Sequence, residues 1–329
     1  LKSIGIIANP NSGKDVRRLY SYATTISNHE KVNLMERMIL GAQDLGVEKI
    51  FIMPDNSEMG SNAKSSLELN GDLKADVEIL DFRIMGTYED TIQATNEFIK
   101  LGVHCIIILG GDGTNRLVAA KNSNIPIIPI STGTNNVYPR FYEGTTVGMA
   151  AAILCEYGMQ DDYIIHDKII EVYKNGEIID YALIDVAITN QIFVGNRAIE
   201  NIKDISELIV SRSHPASIGF SSIIGVQALS TYSDDFGYRT RLHCGRKKVL
   251  APFTAGKMTT VECETPSKME LNQMYVSKPT QKGTIALDGE RILPFESGEL
   301  LGFVIRRKGP LRIDVEAALE YGLKRKFFV

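Results

Sequence analysis

The stretch that most constrains this chain is Gly110-Gly111-Asp112-Gly113-Thr114, which follows the apolar run Val103-His104-Cys105-Ile106-Ile107-Ile108-Leu109. The run is long enough for a strand buried on both faces. Asn115-Arg116-Leu117-Val118-Ala119-Ala120 follows and reads as the start of a helix. A strand, a glycine turn and a helix N-terminus form a natural cradle for phosphate, because backbone N–H groups point outward and the helix dipole favours negative charge. Asp112 is out of place in a loop that only binds anions. It fits a group that handles a proton, a metal ion or a hydroxyl about to react. The plainer alternative is a tight turn capped by Asp. Neither standard nucleotide fingerprint applies: G-x-G-x-x-G counted from Gly111 would need Gly at the position of Arg116, and no G-x-x-x-x-G-K-[ST] is present.

The same alternation runs through the first half of the chain. Ser3 to Ala8 predicts a first buried strand, and Asn9-Pro10-Asn11-Ser12-Gly13-Lys14 a polar loop leading to a helix from about Asp15. This loop misses the Walker pattern, with Ala8 for the first Gly and Asp15 for the Ser/Thr. Helices are predicted over Leu34 to Leu45 and Ala63 to Leu69, and from Thr87 to Leu101, where Thr87 and Asp90 suggest a capping box. Strands are predicted at Lys49 to Met53, Val77 to Leu80 and Ile125 to Ile130. Strands alternating with helices make a doubly wound parallel sheet whose ligands sit at the strand C-terminal ends. The loop Ser131-Thr132-Gly133-Thr134-Asn135-Asn136 would then face the same crevice as Asp112.

Beyond about Tyr157 the pattern becomes short strands, including a hairpin over 171–180 turned by Asn175-Gly176. Strands are expected at Tyr238 to Cys244, Val249 to Phe253, Met258 to Cys263 and Thr284 to Leu287, with a short helix near Ile205 to Val210. Asp314 to Tyr321 reads as a helix ended by Gly322. The expected division is an α/β nucleotide domain over 1–145, a β-rich acceptor domain over 146–304, and a segment of about 305–329 packing back on the first domain.

At 329 residues and a net charge of −4, the chain gives no reason to expect nucleic acid or an anionic membrane as partner. No apolar run approaches a membrane span and no leader pattern opens the sequence, so a cytoplasmic location is expected. Cys105, Cys155, Cys244 and Cys263 are widely spaced and read as buried free thiols of a reducing compartment.

Several motifs share one resemblance. The pentapeptide Gly110 to Thr114 is similar to the GGDGT signature of NAD kinases, diacylglycerol and sphingosine kinases and, more distantly, phosphofructokinases. Asn9 to Lys14 resembles the N-P-x-S-G-K opening of the diacylglycerol kinases, and Gly133 to Asn136 their P-x-G-T-x-N-D loop, with Asn136 in place of Asp. Ala182 to Ile188 resembles the A-L-N-E-V-x-I segment of NAD kinases, keeping Asp185 but carrying Ile184 for the Asn. Asp288-Gly289-Glu290 has the D-G-E form of the lipid kinases. The chain is thus identified as a member of the NAD kinase–diacylglycerol kinase superfamily. Within it, the resemblance is greatest to the ATP-NAD kinase-like proteins associated with acetoin catabolism, and is strongest over Ile106 to Pro139 and Phe193 to Arg197.

The resemblance implies an NAD kinase-like fold and an ATP-dependent kinase, with ATP and Mg²⁺ as cofactors, a small hydroxylated metabolite as acceptor, and a homo-oligomer. NAD kinase activity, lipid kinase activity and nucleotide sensing without turnover are its alternatives. It assigns Asp112, Asp288 and Glu290 to catalysis, with Asp288 holding Mg²⁺ directly or through water. The nucleotide would lie against Asn9, Asn11, Ser12, Gly13, Lys14, Gly110, Gly111, Gly113, Thr114, Thr132, Gly133, Thr134 and Asn135. Asn136, Asp185 and Arg197 would face the acceptor.

Overall fold

The computed structural model describes residues 1–13, 22, 26–122, 124–133, 136–190, 202–289 and 291–329. Five strands alternate with five helices: β1 (Ser3–Ala8), α1 (Asn28–Gln43), β2 (Lys49–Ile52), α2 (Met59–Asn70), β3 (Asp76–Ile79), α3 (Tyr88–Leu101), β4 (Cys105–Gly110), α4 (Asp112–Lys121), β5 (Ile127–Ser131) and α5 (Gly144–Tyr157). Every residue of β1, β4 and β5 is buried, as expected of parallel strands covered on both faces. Side chains alternate between two cores: Ile107 and Leu109 pack with α1, α2 and α5, while Ile106 and Ile108 pack with α3 and α4. Helices α1 and α5 touch through glycine, since a Cβ on Gly148 would collide with the Met38 carbonyl.

β6 (Ile164–His166) leads into the β-rich half, which comprises β7 (Ile169–Lys174), β8 (Glu177–Ala182), β9 (Asp185–Thr189), β10 (Ile205–Val210), α6 (Phe220–Gly225), β11 (Phe236–Thr254), β12 (Lys257–Cys263), β13 (Ser267–Glu270), β14 (Met274–Ser277), β15 (Gly283–Leu287), β16 (Arg291–Phe295) and β17 (Leu301–Arg306). The chain then returns through β18 (Leu311–Ile313) and α7 (Val315–Lys324). The first sheet has the order β3-β2-β1-β4-β5-β18-β6; β18 runs parallel to β5, and β6 antiparallel to β18. A second sheet, β12-β11-β10-β9-β15-β16, faces a third, β14-β17-β7-β8, across a core that includes Ile209, Ile285 and Phe303. This is the parallel α/β half followed by β-rich sheets that the sequence predicts.

Some expectations need correction. Ile205 to Val210 is strand β10, not a helix. Leu208 and Val210 face one core and Ile209 the other, so burial on both faces erases the alternation that marks a strand. The strands expected at Tyr238 to Cys244 and Val249 to Phe253 are one continuous β11. Helix α4 begins at Asp112, three residues before the expected start. Gly322 lies inside α7, where a Cβ would press on Ile153, and the helix runs on to Lys324. Cys105, Cys155 and Cys263 are buried, whereas Cys244 is exposed; all four are free. The helix expected from Asp15 lies outside the described residues. Among the described residues no helix is long and apolar enough to cross a membrane.

Candidate functional site

Strand order reverses between β1 and β4, which have β2 and β5 on their outer sides. A crevice opens at the C-terminal ends of two strands whose connections diverge in this way. Three loops meet there, and hydrogen bonds join each to the next.

The loop after β1 is anchored by Asn9, whose N–H donates to the Leu109 carbonyl (2.9 Å) and whose Nδ2 donates to Thr114 Oγ1 (2.9 Å). Ser12 Oγ donates to the Asn9 carbonyl (2.9 Å) and lies 2.7 Å from Thr132 Oγ1. Gly13 has a left-handed φ of 82°, and a Cβ there would sit 2.9 Å from the Thr132 carbonyl. Asn11 is exposed at the rim, its N–H donating to Asn9 Oδ1 (2.8 Å). Beneath this loop the fully buried Lys31 of α1 donates to the carbonyls of Asn9 (2.8 Å) and Ser12 (2.9 Å).

The glycine turn itself is tight. A Cβ on Gly110 would lie 2.6 Å from Thr114 Cβ, and one on Gly111 would lie 3.0 Å from Asn136 Oδ1. Gly111 is the N-cap of α4 and supplies no side-chain cap. The first-turn amides of Asp112, Gly113 and Thr114 have no acceptor within the helix. They form the positive end of the dipole at the switch point.

The third loop closes on the second. Thr132 N–H donates to the Gly110 carbonyl (3.3 Å), and Asn136 Nδ2 donates to Ser131 Oγ (2.9 Å). A Cβ on Gly133 would meet Asn136 at 2.7 Å, so the loop backbone is held against that side chain. Asp112 does not stand free in the crevice. Its carboxylate is buried, accepting Val137 N–H on both oxygens (3.2 and 3.1 Å) and Tyr138 N–H on Oδ1 (2.8 Å). Burial pushes its pKa up to about 7, helped by the Asp288 charge and opposed by the two amides and Arg212. Farther along, Tyr138 Oη donates to Asp167 (2.7 Å), which also takes Arg312 Nε (2.8 Å), fixing this loop to β18.

Asp288 requires a correction. Its carboxylate accepts the N–H groups of Leu183 (2.9 Å), Ile184 (2.8 Å) and Asp185 (3.2 Å), and Arg116 Nε lies 3.8 Å away. The side chain is 0 % exposed. Burial raises its pKa despite Arg116 and the three amides. A carboxylate so enclosed does not fit as a Mg²⁺ ligand; it staples the turn between β8 and β9. Among the described residues no group of three or more His, Cys, Asp or Glu could hold a metal ion. Asp185 is buried beside it, its carbonyl accepting Asp288 N–H (3.0 Å). Ile184 is fully buried in the core under α3 and α4.

A cavity of about 650 Å³ adjoins the third loop on the side of the β-rich half. Gly133, Asn136 and Val137 line it together with Arg212, His214 and Tyr232. Asn136 lines the cavity, whereas Asp185 is absent from its wall. Lys14, Thr134, Asn135, Arg197 and Glu290 lie outside the described residues.

The expected residues Asn9, Ser12, Gly13, Gly110, Gly111, Asp112, Gly113, Thr114, Thr132, Gly133 and Asn136 therefore come together in one constellation. Sequence reasoning missed Lys31, Arg116 and Arg212. Lys31 had a signal: with Leu34, Met35 and Met38 it lies on the buried stripe of α1, an odd place for a lysine. Arg116 had one too, being one helical turn beyond Asp112. Arg212 had none.

Residues 4–157 match the ATP-NAD kinase N-terminal domain, and residues 168–308 match the C-terminal domain of acetoin catabolism protein X. The chain is similar to acetoin catabolism protein X of Cupriavidus necator, at 30 % identity over 330 residues covering 97 % of this chain and 91 % of that protein.

Proposed function

The chain belongs to the acetoin catabolism protein X family, and from that membership we propose that it is an ATP-dependent kinase that phosphorylates a hydroxyl of a small metabolite. The observation that carries the proposal is the meeting of three loops around an uncapped helix N-terminus at the switch point of the first sheet. Phosphoryl transfer is mainly a matter of positioning and charge neutralisation. The amides of Gly111, Gly113 and Thr114 would take the nucleotide phosphates, while Gly110 stays paired with β5 and lets the turn pass close to them. Asn9, Ser12 and Thr132 would complete the pocket, with Asn11, Gly13 and Gly133 shaping its edge. The collisions that a Cβ would cause at Gly110 and Gly111 support a backbone that must stay bare.

Asp112 would orient the acceptor hydroxyl and take its proton. A carboxylate titrating near 7 suits a general base at neutral pH. The amides of Val137 and Tyr138 would fix its direction, occupying Oδ1 twice and Oδ2 once, so that a lone pair of Oδ2 stays available to the acceptor. Mg²⁺ would arrive on the ATP phosphates and keep several of its waters, which needs no cage of protein carboxylates.

The position where NAD kinases carry a polar Asn holds Ile184, sealed in the core, so it offers no hydrogen bond to an acceptor. This supports a small hydroxylated metabolite, polyol- or acyloin-like, over NAD. One observation favours a second reading. The bonds from Asp112 to the third loop would also suit a protein that binds nucleotide without turnover. Incubation with ATP, Mg²⁺ and a panel of hydroxyl compounds, read by product mass, separates the two. A phosphorylated product supports the kinase; ATP binding with no product in any arm supports the sensor.

A further inference from the structure

Arginines, hydroxyls, aromatic rings and a few aliphatic side chains line the cavity beside the glycine turn, and among the described residues no Asp or Glu lines it. We infer that this cavity binds an anionic group through Arg212, so that the acceptor is a hydroxylated compound bearing a carboxylate or a phosphate. The inference rests on the kinase reading only in calling the bound compound the acceptor.

Arg212 is the group placed to take the anion. It is half-buried just beyond the end of β10, with its guanidinium carbon 4.9 Å from the centre of the Tyr138 ring. Among the described residues its guanidinium makes one hydrogen bond, from Nη2 to the Val137 carbonyl (3.0 Å). A guanidinium has five N–H donors, so most of this one's capacity remains. The two carboxylates whose charge it feels are committed elsewhere. Asp167 holds Arg312 and Tyr138, and Asp112 holds the third loop. The ring and the carbonyl fix the guanidinium in place without neutralising it, which is the arrangement that recognises a planar carboxylate or a phosphate.

Two further donors line the cavity. Arg140 is exposed and has no carboxylate within ion-pair reach among the described residues. His214 Nδ1 accepts the Ala216 N–H (2.9 Å), which leaves Nε2 to carry the donor hydrogen. The chain as a whole has a net charge of −4, so this concentration of cations is local and not a general property of the surface. Val137 ties the cavity to the chemistry. Its side lines the wall, its carbonyl holds Arg212, and its N–H binds Asp112. An anion seated on Arg212 would leave the rest of a short molecule extending past Asn136 towards the glycine turn.

The test measures binding to the full chain by calorimetry, using glycerate, glycerol 3-phosphate and neutral glycerol. Each is titrated with and without a saturating non-hydrolysable ATP analogue that occupies the nucleotide cradle. At least one anion should bind with the analogue present and at least ten-fold tighter than glycerol; which one binds identifies carboxylate or phosphate as the recognised group. Arg212→Gln should weaken that anion by roughly ten- to a hundred-fold, the scale of a charged hydrogen-bonded pair. Arg140→Gln, which changes an exposed side chain and keeps its backbone, should weaken it several-fold. The inference is overturned if glycerol binds as well as the anions, if the analogue displaces every anion, or if a folded Arg212→Gln leaves anion affinity unchanged. If Arg212→Gln fails to fold, Arg140→Gln decides alone, and an unchanged affinity overturns the inference. Failure of the kinase reading looks different: the analogue does not bind, or no ATP is consumed, while Arg212-dependent anion binding persists.

Discussion

Replacing Asp112 by Asn removes a charge from a place where burial opposes it. Burial is the main reason that the carboxyl titrates at about 7 in the native protein rather than at 3.8. The native state therefore keeps a proton that the unfolded chain gives up. Stability contributed by this carboxyl is fully present below about 3.8, declines as pH rises, and is gone once pH passes about 7. Between about pH 5 and about pH 8, some two pH units of that window are crossed, worth roughly 3 kcal/mol at about 1.4 kcal/mol per pH unit. The Asp112→Asn variant does not titrate there. It also accepts the loop amides less well, but that loss does not depend on pH. Urea unfolding of both proteins across this range should show the wild type's stability relative to the variant falling by about 3 kcal/mol from the acid to the alkaline end. A difference that stays constant with pH would mean that the carboxyl is ionised throughout and that burial does not raise its pKa. Turnover in the same variant should drop by roughly 10²–10⁴-fold, the scale of a general acid–base group. Wild-type kcat/KM should fall as the medium is acidified through about 7.

Three other outcomes are expected. Gly110→Ala forces a Cβ to within 2.6 Å of Thr114, and should raise the KM for ATP about ten-fold and cost about 1–3 kcal/mol in urea unfolding. Lys31→Met strips the carbonyls of Asn9 and Ser12 of a buried donor, and should destabilise the chain by about 2 kcal/mol and raise the KM for ATP; unchanged values of both would show that Lys31 does not position the loop. A chelator should abolish turnover and Mg²⁺ or Mn²⁺ restore it, while the Tm of the nucleotide-free protein barely moves, since no metal cage forms among the described residues. A large drop in Tm would indicate a structural metal.

The parallel half was legible because its strands are buried on both faces and read as unbroken apolar runs, each followed by turn residues and a helical pattern. The same property misled in the β-rich half. Ile205-Ser206-Glu207-Leu208-Ile209-Val210 has apolar residues at spacings that suit a helix as well as a doubly buried strand, and only the neighbouring β9 and β11 decide between them. Asp112 was legible as the odd acid in a phosphate cradle, but its bonds to Val137 and Tyr138 depend on a loop twenty-five residues away. Asp288 shows the limit most clearly. As a sequence it is an acid in a D-G-E turn, equally suited to a metal or to a hairpin end. Its three amide partners are more than a hundred residues distant and are set by the register of β15 against β9. Arg212 left no local trace, because its meaning lies in the Tyr138 ring beneath it and the cavity beside it.

The most direct test of the central claim follows the γ-phosphoryl group of labelled ATP. The wild-type chain and Asp112→Asn are each incubated with Mg²⁺ and matched acceptors, comprising NAD, neutral polyols, and hydroxylated carboxylates and phosphates. Label is expected in the hydroxyl of a small metabolite, with a kcat/KM above that for NAD, and a loss of roughly 10²–10⁴-fold in the variant. Label retained on ATP in every arm, with the nucleotide demonstrably bound, would contradict it.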